Sequence, residues 1–91
     1  MITEFSKAVC VPELAILETG TRRGGRGKIA DLREAYWLLL HENGFSYGEI
    51  GRLCDRTRST ILLGIRRIRQ LIESGDRETV RIYELTKHIK R

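Results

Sequence analysis

Apolar residues recur along much of the chain at the spacing of three to four positions that places them on one side of an α-helix. This spacing is clearest in residues 29–42 and 58–74. No stretch shows the strict alternation of apolar and polar residues that is typical of a half-buried strand. Trp37 and Leu38 widen the apolar side of the first segment, which predicts a central helix contacted from more than one direction. The pattern predicts an all-α fold of five to six helices.

Shorter patterns predict the remaining helices. Residues 3–11 are predicted to form a short first helix. Pro12 opens a second helix of about two turns, because proline lacks an N–H that a first turn leaves unpaired anyway. Asp76 is placed to cap a last amphipathic helix at about residues 77–89. A chain of 91 residues is long enough for one modest core, so we predict a single domain over residues 1–91.

A strong helix-start signal lies in the middle of the chain. Ser46 and Glu49 have the spacing of a capping box, in which each side chain bonds the backbone N–H of the other residue. Phe45 and Ile50 occupy the two positions of the matching hydrophobic staple. This first helix is short, and a tight turn separates it from the long helix that follows. That order predicts a helix-turn-helix at about residues 46–74.

The second helix of this pair has two chemically distinct faces. One is an apolar stripe of four isoleucines, Ile61, Ile65, Ile68 and Ile72. The opposite side carries Ser59, Thr60, Leu63, Arg66, Arg67 and Gln70. An arginine-rich face on a solvated helix usually has acids beside it, but the five arginines between positions 56 and 72 have none. We therefore expect these arginines to lack acid partners and to contact the phosphates and base edges of DNA, with Leu63 suited to a thymine methyl group.

The positive charge of the chain is concentrated in two segments. Lys and Arg number 17 against 12 Asp and Glu, which gives a formal net charge of +5 and a pI of about 9.7. Residues 52–69 hold one basic cluster, and residues 19–28 form a loop rich in glycine and arginine without any acid. Such loops enter the DNA minor groove beside a helix-turn-helix, and the alternative is a solubilising loop. The loop candidates are Arg22, Arg23, Arg26 and Lys28.

Several other classes of function lack support in the sequence. Cys10 and Cys54 are too few for a disulfide framework, so we expect small buried thiols in a reducing compartment. His41 and His88 are isolated from any set of metal ligands or catalytic partners, so we expect no metal, no cofactor and no enzymatic activity. The chain has no signal peptide at its start and no apolar run of about 18 residues. We therefore predict a cytoplasmic protein with no membrane partner.

The stretch FSYGEIGRLCDRTRSTILLGIRRIRQLI, residues 45–72, resembles the signature of the C-terminal DNA-binding domain of the bacterial replication initiator DnaA. Positions in step with that signature are Glu49, Ile50, Gly51, Arg52, Arg56, Thr60, Arg66 and Ile68. The order of elements is also similar over nearly the whole chain: two short helices, a basic loop, a long helix, the signature and a final helix. The ATPase module of the initiator has no counterpart here, since the phosphate-binding Gly-x-x-x-x-Gly-Lys-[Ser/Thr] pattern is absent from the sequence.

The resemblance implies a way of binding DNA. The residues that would read the major groove are Thr57, Arg58, Ser59, Thr60, Leu63 and Arg67. A basic-loop residue would read the minor groove. The sequence departs from the family at Gly48, at the shortened turn Cys54-Asp55, at Thr57-Arg58 and at Leu63. Because these departures include reading positions, we expect a target different from the DnaA box of the family. The resemblance favours a diverged stand-alone relative that acts as a repressor, an accessory factor of a mobile element or phage, or a competitor for initiator sites.

These observations lead to one main hypothesis and one alternative. The main hypothesis is sequence-selective binding of double-stranded DNA, in replication initiation, its regulation or transcription control. We expect a monomer without bound nucleotide, and a dimer through Ile82, Leu85 and Ile89 remains open. The alternative is a protein-interaction module that kept the fold and modulates a replication or transcription factor. The full set of predicted DNA contacts is Arg22, Arg23, Arg26, Lys28, Ser46, Arg56, Thr57, Arg58, Ser59, Thr60, Leu63, Arg66 and Arg67.

Overall fold

The structure, a computed structural model, describes residues 1–11, 13–17 and 28–90. These residues form six α-helices and no strand, which confirms the predicted all-α class. The helices are α1 (Ile2–Val9), α2 (Glu13–Leu17), α3 (Lys28–Glu42), α4 (Tyr47–Cys54), α5 (Arg58–Glu73) and α6 (Arg77–Thr86). Pro12 and most of the predicted basic loop, positions 19–27, lie outside the described residues.

Helix α3 lies at the centre of the fold. Six consecutive residues, positions 35–40, are buried, so apolar side chains leave the helix in every direction. Neighbours cover it on several sides, because α2, α4, α5 and α6 all pack against it. The Phe5 ring of α1 lies 5.3 Å from the Tyr36 ring of α3, centroid to centroid. The prediction of a central helix contacted from more than one side is confirmed.

The predicted start of α4 is confirmed in its hydrogen bonds. The Glu49 backbone N–H donates to Ser46 Oγ at 3.1 Å, and the Ser46 N–H donates to Glu49 Oε1 at 2.8 Å. Ile50 is fully buried, and Phe45 packs against the same core. The capping box therefore fixes the first turn of α4, while the two apolar residues attach that turn to the core.

Helix α6 starts as predicted and ends earlier. Asp76 caps it, accepting the Thr79 N–H at 3.1 Å. The helix stops at Thr86 instead of continuing to about residue 89. Beyond this point Ile89 is buried, and its carbonyl accepts a hydrogen bond from Asn43 Nδ2 at 3.3 Å. Ile89 thus packs in the core from outside the helix, where its carbonyl is bonded to Asn43.

The three residues considered for a dimer face have different environments. Ile82 and Ile89 are buried in the chain's own core, whereas Leu85 is partly exposed. An apolar side chain that is already buried has little surface left to offer a second copy. Of the three, only Leu85 presents substantial apolar surface to a partner.

The two cysteines also differ. Cys54 is buried in α4, as predicted, and burial raises the pKa of its thiol. Cys10 is exposed, so the prediction of a buried thiol is wrong at this position. Cys10 follows the last residue of α1 and adopts a left-handed backbone conformation with φ 59°. This turn at the helix end directs its side chain to the surface.

Candidate nucleic-acid interface

The turn between α4 and α5 depends on a close backbone approach at Gly51. The Arg56 N–H donates to the Gly51 carbonyl at 2.8 Å, and Asp55 between them has a left-handed conformation with φ 57°. A Cβ atom on Gly51 would lie only 2.6 Å from the Arg56 carbonyl oxygen. The absence of a side chain at Gly51 therefore lets the chain fold back tightly and start α5 at Arg58. This arrangement is compatible with a helix-turn-helix.

The first turn of α5 is capped and contains no acid. Thr57 Oγ1 accepts the Thr60 backbone N–H at 3.2 Å, and the two threonine hydroxyls lie 2.8 Å apart in a hydrogen bond. Thr57 thus has a capping role that was not predicted for it, and the Thr60 hydroxyl is hydrogen-bonded to the capping oxygen. Arg58 and Ser59 are exposed beside them. The partial positive charge of a helix N-terminus favours an anion at this end of α5.

A continuous exposed strip runs along α5, which we name the polar ridge. It consists of Ser59, Leu63, Arg66 and Gln70, all exposed and spaced to lie on one side of the helix. Leu63 is 60% exposed in the middle of it. On the opposite side of α5 the predicted apolar stripe is confirmed, with three isoleucines buried and the fourth partly buried. The core therefore fixes which side of α5 faces solvent.

One arginine of α5 is paired with acids, contrary to expectation. Arg67 Nη2 donates to Asp31 Oδ1 at 2.9 Å, and Arg67 Nη1 donates to Glu34 Oε1. Both acids belong to α3 and are more than 30 positions away in sequence. The expectation that the arginines of this segment lack acid partners is therefore wrong for Arg67. The acids were missed because they are supplied by another helix.

The Arg67 cluster, which consists of Arg67, Asp31 and Glu34, lies partly buried between α3 and α5. Burial raises the pKa of Glu34, and the hydrogen bond and positive charge of Arg67 oppose this shift without cancelling it. Burial alone would lower the pKa of Arg67, but its hydrogen bonds to Asp31 and Glu34 raise it. Arg67 therefore stays charged, and its two terminal nitrogens are each bonded to a carboxylate.

Two other predicted contacts have structural partners as well. Arg56 is partly buried, and its guanidinium carbon lies 5.6 Å from the centre of the Trp37 ring. Ser46 is exposed, with its Oγ already accepting in the capping box. The hydroxyl proton of a serine is a separate donor, so capping leaves Ser46 a hydrogen bond to give. A role in DNA contact stays a prediction for both residues.

The structure fixes the C-terminal attachment of the basic loop. Arg22, Arg23 and Arg26 lie outside the described residues, whereas Lys28 is the first residue of α3. Asp31 follows within one helical turn and binds Arg67 of α5. The loop therefore joins α3 at Lys28, within one helical turn of Asp31, which is bonded to Arg67 of α5.

Comparison with protein-family models, with curated proteins and with solved structures found no match. The resemblance to the DnaA domain therefore stays a prediction. Within the described ranges, no three His, Cys, Asp or Glu side chains are grouped so that they could hold a metal ion. None of the helices in that part of the chain combines the length and the apolar character needed to cross a bilayer.

Proposed function

We propose that this protein binds double-stranded DNA in a sequence-selective way, with α4 and α5 as a helix-turn-helix and the polar ridge of α5 in the major groove. The observation that carries the proposal is the contrast between the two sides of α5. One side is fixed by buried isoleucines, and the other exposes a serine, a leucine, an arginine and a glutamine. A helix held rigidly by its core face presents such side chains at defined positions, which reading of base edges requires.

Individual side chains at the start of α5 suit particular DNA groups. Arg58 is exposed in the first turn, where a guanidinium can donate two hydrogen bonds to one guanine. Leu63, one turn further along, suits the methyl group of thymine. Thr57, Ser59 and Thr60 add hydroxyls near the helix N-terminus, where a phosphate is also favoured. These chemistries differ from one another, so together they would favour one short sequence over others.

Other contacts would hold the protein on the backbone of the duplex. Ser46 and Arg56 border α4 at its two ends and suit phosphate oxygens. The basic loop rejoins the chain at Lys28, within one turn of the Arg67 cluster, so the loop is tethered close to α5. Arg22, Arg23, Arg26 and Lys28 are the proposed minor-groove contacts, since arginine is attracted by a narrow minor groove.

The proposal also covers the setting of this binding. The resemblance to the initiator domain favours a role in replication initiation, in its regulation or in transcription control. The proposed location is the cytoplasm. The chain would bind as a monomer on an asymmetric site, without a nucleotide, a cofactor or catalysis. Binding to a replication or transcription factor without DNA reading is the competing function.

Selection from a random duplex library with the purified chain tests the proposal directly. We expect one enriched, asymmetric sequence. Its binding should weaken as the salt concentration rises, because contacts with phosphates release counterions from the DNA and this release is less favourable at high salt. Titration of a mixed-sequence duplex provides the reference affinity. If selection enriches nothing and the residual affinity hardly responds to salt, DNA binding is excluded and the interaction module is favoured.

A further inference from the structure

The Arg67 cluster lies beside the polar ridge of α5. The side chain of Arg67 is 45% exposed, whereas those of Asp31 and Glu34 are only 18% and 17% exposed. Arg67 directly follows Arg66 of the ridge in sequence. The guanidinium is therefore more exposed than the two carboxylates that it bonds, and it lies at the edge of the surface that we propose for DNA.

The helix packing builds this cluster. At Gly64, one turn before Arg67, a Cβ atom would lie 2.4 Å from the Trp37 ring and 3.2 Å from Glu34 Cγ. Trp37 is 3% exposed, so the α5 backbone comes directly against a buried ring of α3. This close approach lets Arg67 reach Glu34 and Asp31 together. The cluster is thus set by the core and is independent of any ligand.

Charge favours the two acids over DNA as partners of Arg67. A backbone phosphate brings one negative charge, whereas Arg67 already bonds two carboxylates. Moving the guanidinium to a phosphate would leave two partly buried carboxylates without this partner, and unpaired buried charges are costly. Those carboxylates would also repel the nearby phosphates of the duplex.

We propose that Arg67 is a positioning and charge-compensating residue, which offsets part of the negative charge of Asp31 and Glu34 beside the DNA surface and does not itself contact DNA. This inference rests on the proposed DNA binding and assigns Arg67 a role different from the reading role implied by the resemblance. The positive charge of Arg67 reduces the repulsion between these carboxylates and the DNA phosphates at the edge of the interface. Its bonds also hold α3, to which the basic loop is joined, against α5.

A double-mutant cycle in DNA affinity tests the inference. The four proteins are the unmodified chain, Arg67→Gln, the pair Asp31→Asn with Glu34→Gln, and the triple variant, all titrated with the selected duplex. We expect Arg67→Gln to weaken binding about five- to tenfold when both acids are present, because each uncovered carboxylate repels nearby phosphates. When both acids are replaced, the same change should weaken DNA binding about twofold or less. If Arg67→Gln loses as much DNA affinity or more when the acids are absent, Arg67 contacts DNA and the inference is overturned.

Arg66→Gln is the matched control, because Arg66 is the neighbouring exposed arginine on the ridge. We expect it to weaken binding equally with and without the two acids. If the unmodified chain shows no salt-dependent DNA binding, the proposed function fails. If that chain and Arg66→Gln behave as expected while the Arg67 cycle shows no coupling, only the inference fails.

Arg67→Lys provides a second readout that does not depend on the stability of the triple variant. Lysine keeps the compensating charge, so we expect affinity within about twofold of the unmodified chain and an unchanged preferred sequence in the library selection. Circular dichroism verifies that each variant is folded. A changed base preference in Arg67→Lys would show that the guanidinium reads a base, and would contradict the inference.

Discussion

The arginines around α5 occupy environments that give them different capacities for binding. Arg58 and Arg66 are exposed. Arg56 is partly buried and lies over the Trp37 ring, and Arg67 is bonded to two acids. A guanidinium without an intramolecular acid partner keeps more of its donors for a ligand. Individual substitutions should therefore have distinct effects, although each removes one positive charge.

Arg58→Ala should weaken binding to the preferred duplex by about 1–3 kcal/mol and relax the preference at one base position. The reason is the expected loss of the paired contact with a base edge that we propose for Arg58. The measurement is a titration against the preferred duplex and its single-base variants. Arg81→Ala on α6 removes the same charge from an exposed residue of another helix and should leave the base preference unchanged. Equal losses on every duplex would mean that Arg58 contacts only phosphate.

Glu34→Gln should change how stability depends on pH. Burial raises the pKa of Glu34 above its ordinary value of 4.5, so the folded chain binds its proton more tightly than the unfolded chain does. Glu34 thus contributes stability that is complete below about pH 4.5 and is lost as pH rises through the folded pKa. Because glutamine does not titrate, the variant should gain stability relative to the unmodified chain as pH rises from about 4 to 7.

Urea unfolding at several pH values measures this difference. The unmodified chain, unfolded at the same pH values, is the reference for each stability difference. A stability difference for Glu34→Gln that stays constant or shrinks as pH rises would contradict the assigned pKa direction.

At the scale of elements, two glycines set how closely the helices approach. Gly51 makes room for the turn that leads into α5, and Gly64 makes room for the Trp37 ring of α3. The neighbour of Gly51 is a backbone carbonyl and the neighbour of Gly64 is a buried ring, and neither is the free end of a flexible side chain. A side chain at either position would displace α5 relative to α4 or α3. The direction of the polar ridge therefore depends on these two close approaches.

Gly51→Ala should destabilise the fold by about 1–3 kcal/mol, since the added methyl group lies too close to the Arg56 carbonyl. Gly48→Ala is the matched control in the same helix, because a Cβ atom there would meet only Ser46 Oγ, at 4.0 Å. Alanine is the better helix former, so the control should gain about 0.5–1 kcal/mol. Thermal and urea unfolding measure both changes. A Gly51→Ala variant as stable as the unmodified chain would mean that the turn tolerates a wider separation between residue 51 and the Arg56 carbonyl.

The features that were predictable from sequence depend on residues close together in the chain. The capping box of Ser46 and Glu49 spans one turn, and the isoleucine stripe follows from helical periodicity alone. The contact of Arg67 with α3 was not predictable, because it depends on how two distant helices cross. The end of α6 was also placed too late, and Ile89, beyond that end, is bonded to Asn43, a residue 46 positions away in sequence. Local chemistry thus predicted the elements and the exposed face, but not the pairing between helices.

At the scale of the whole molecule, α3 connects the two basic segments. It begins at Lys28, where the basic loop ends, and its Asp31 and Glu34 bind Arg67 of α5. The loop and the polar ridge are therefore attached to the same central helix. Because α3 is buried along its middle, its position relative to α5 is fixed by the core. A single duplex could then meet both basic segments, and their contributions to binding should add.

Replacing Arg22, Arg23 and Arg26 together by glutamine should weaken binding to all duplexes and reduce the slope of log affinity against log salt. Each lost phosphate contact removes about 0.9 from that slope, so the triple change should remove up to about 2.7. Arg66→Gln should remove about 0.9. If the loop and the ridge contact separate parts of one duplex, as proposed, combining all four changes should add the two reductions.

The control removes positive charge from α6, outside the two basic segments. Arg77 and Arg81 are exposed on α6, and changing both to glutamine should alter the salt slope by much less than the loop variant does. Stoichiometric titration should give one chain per duplex in each case. If the loop variant keeps the original slope while Arg66→Gln lowers it, the loop does not contact the duplex and α5 binds alone. If the α6 variant lowers the slope as much as the loop variant, binding follows total charge and is not localised to the two basic segments.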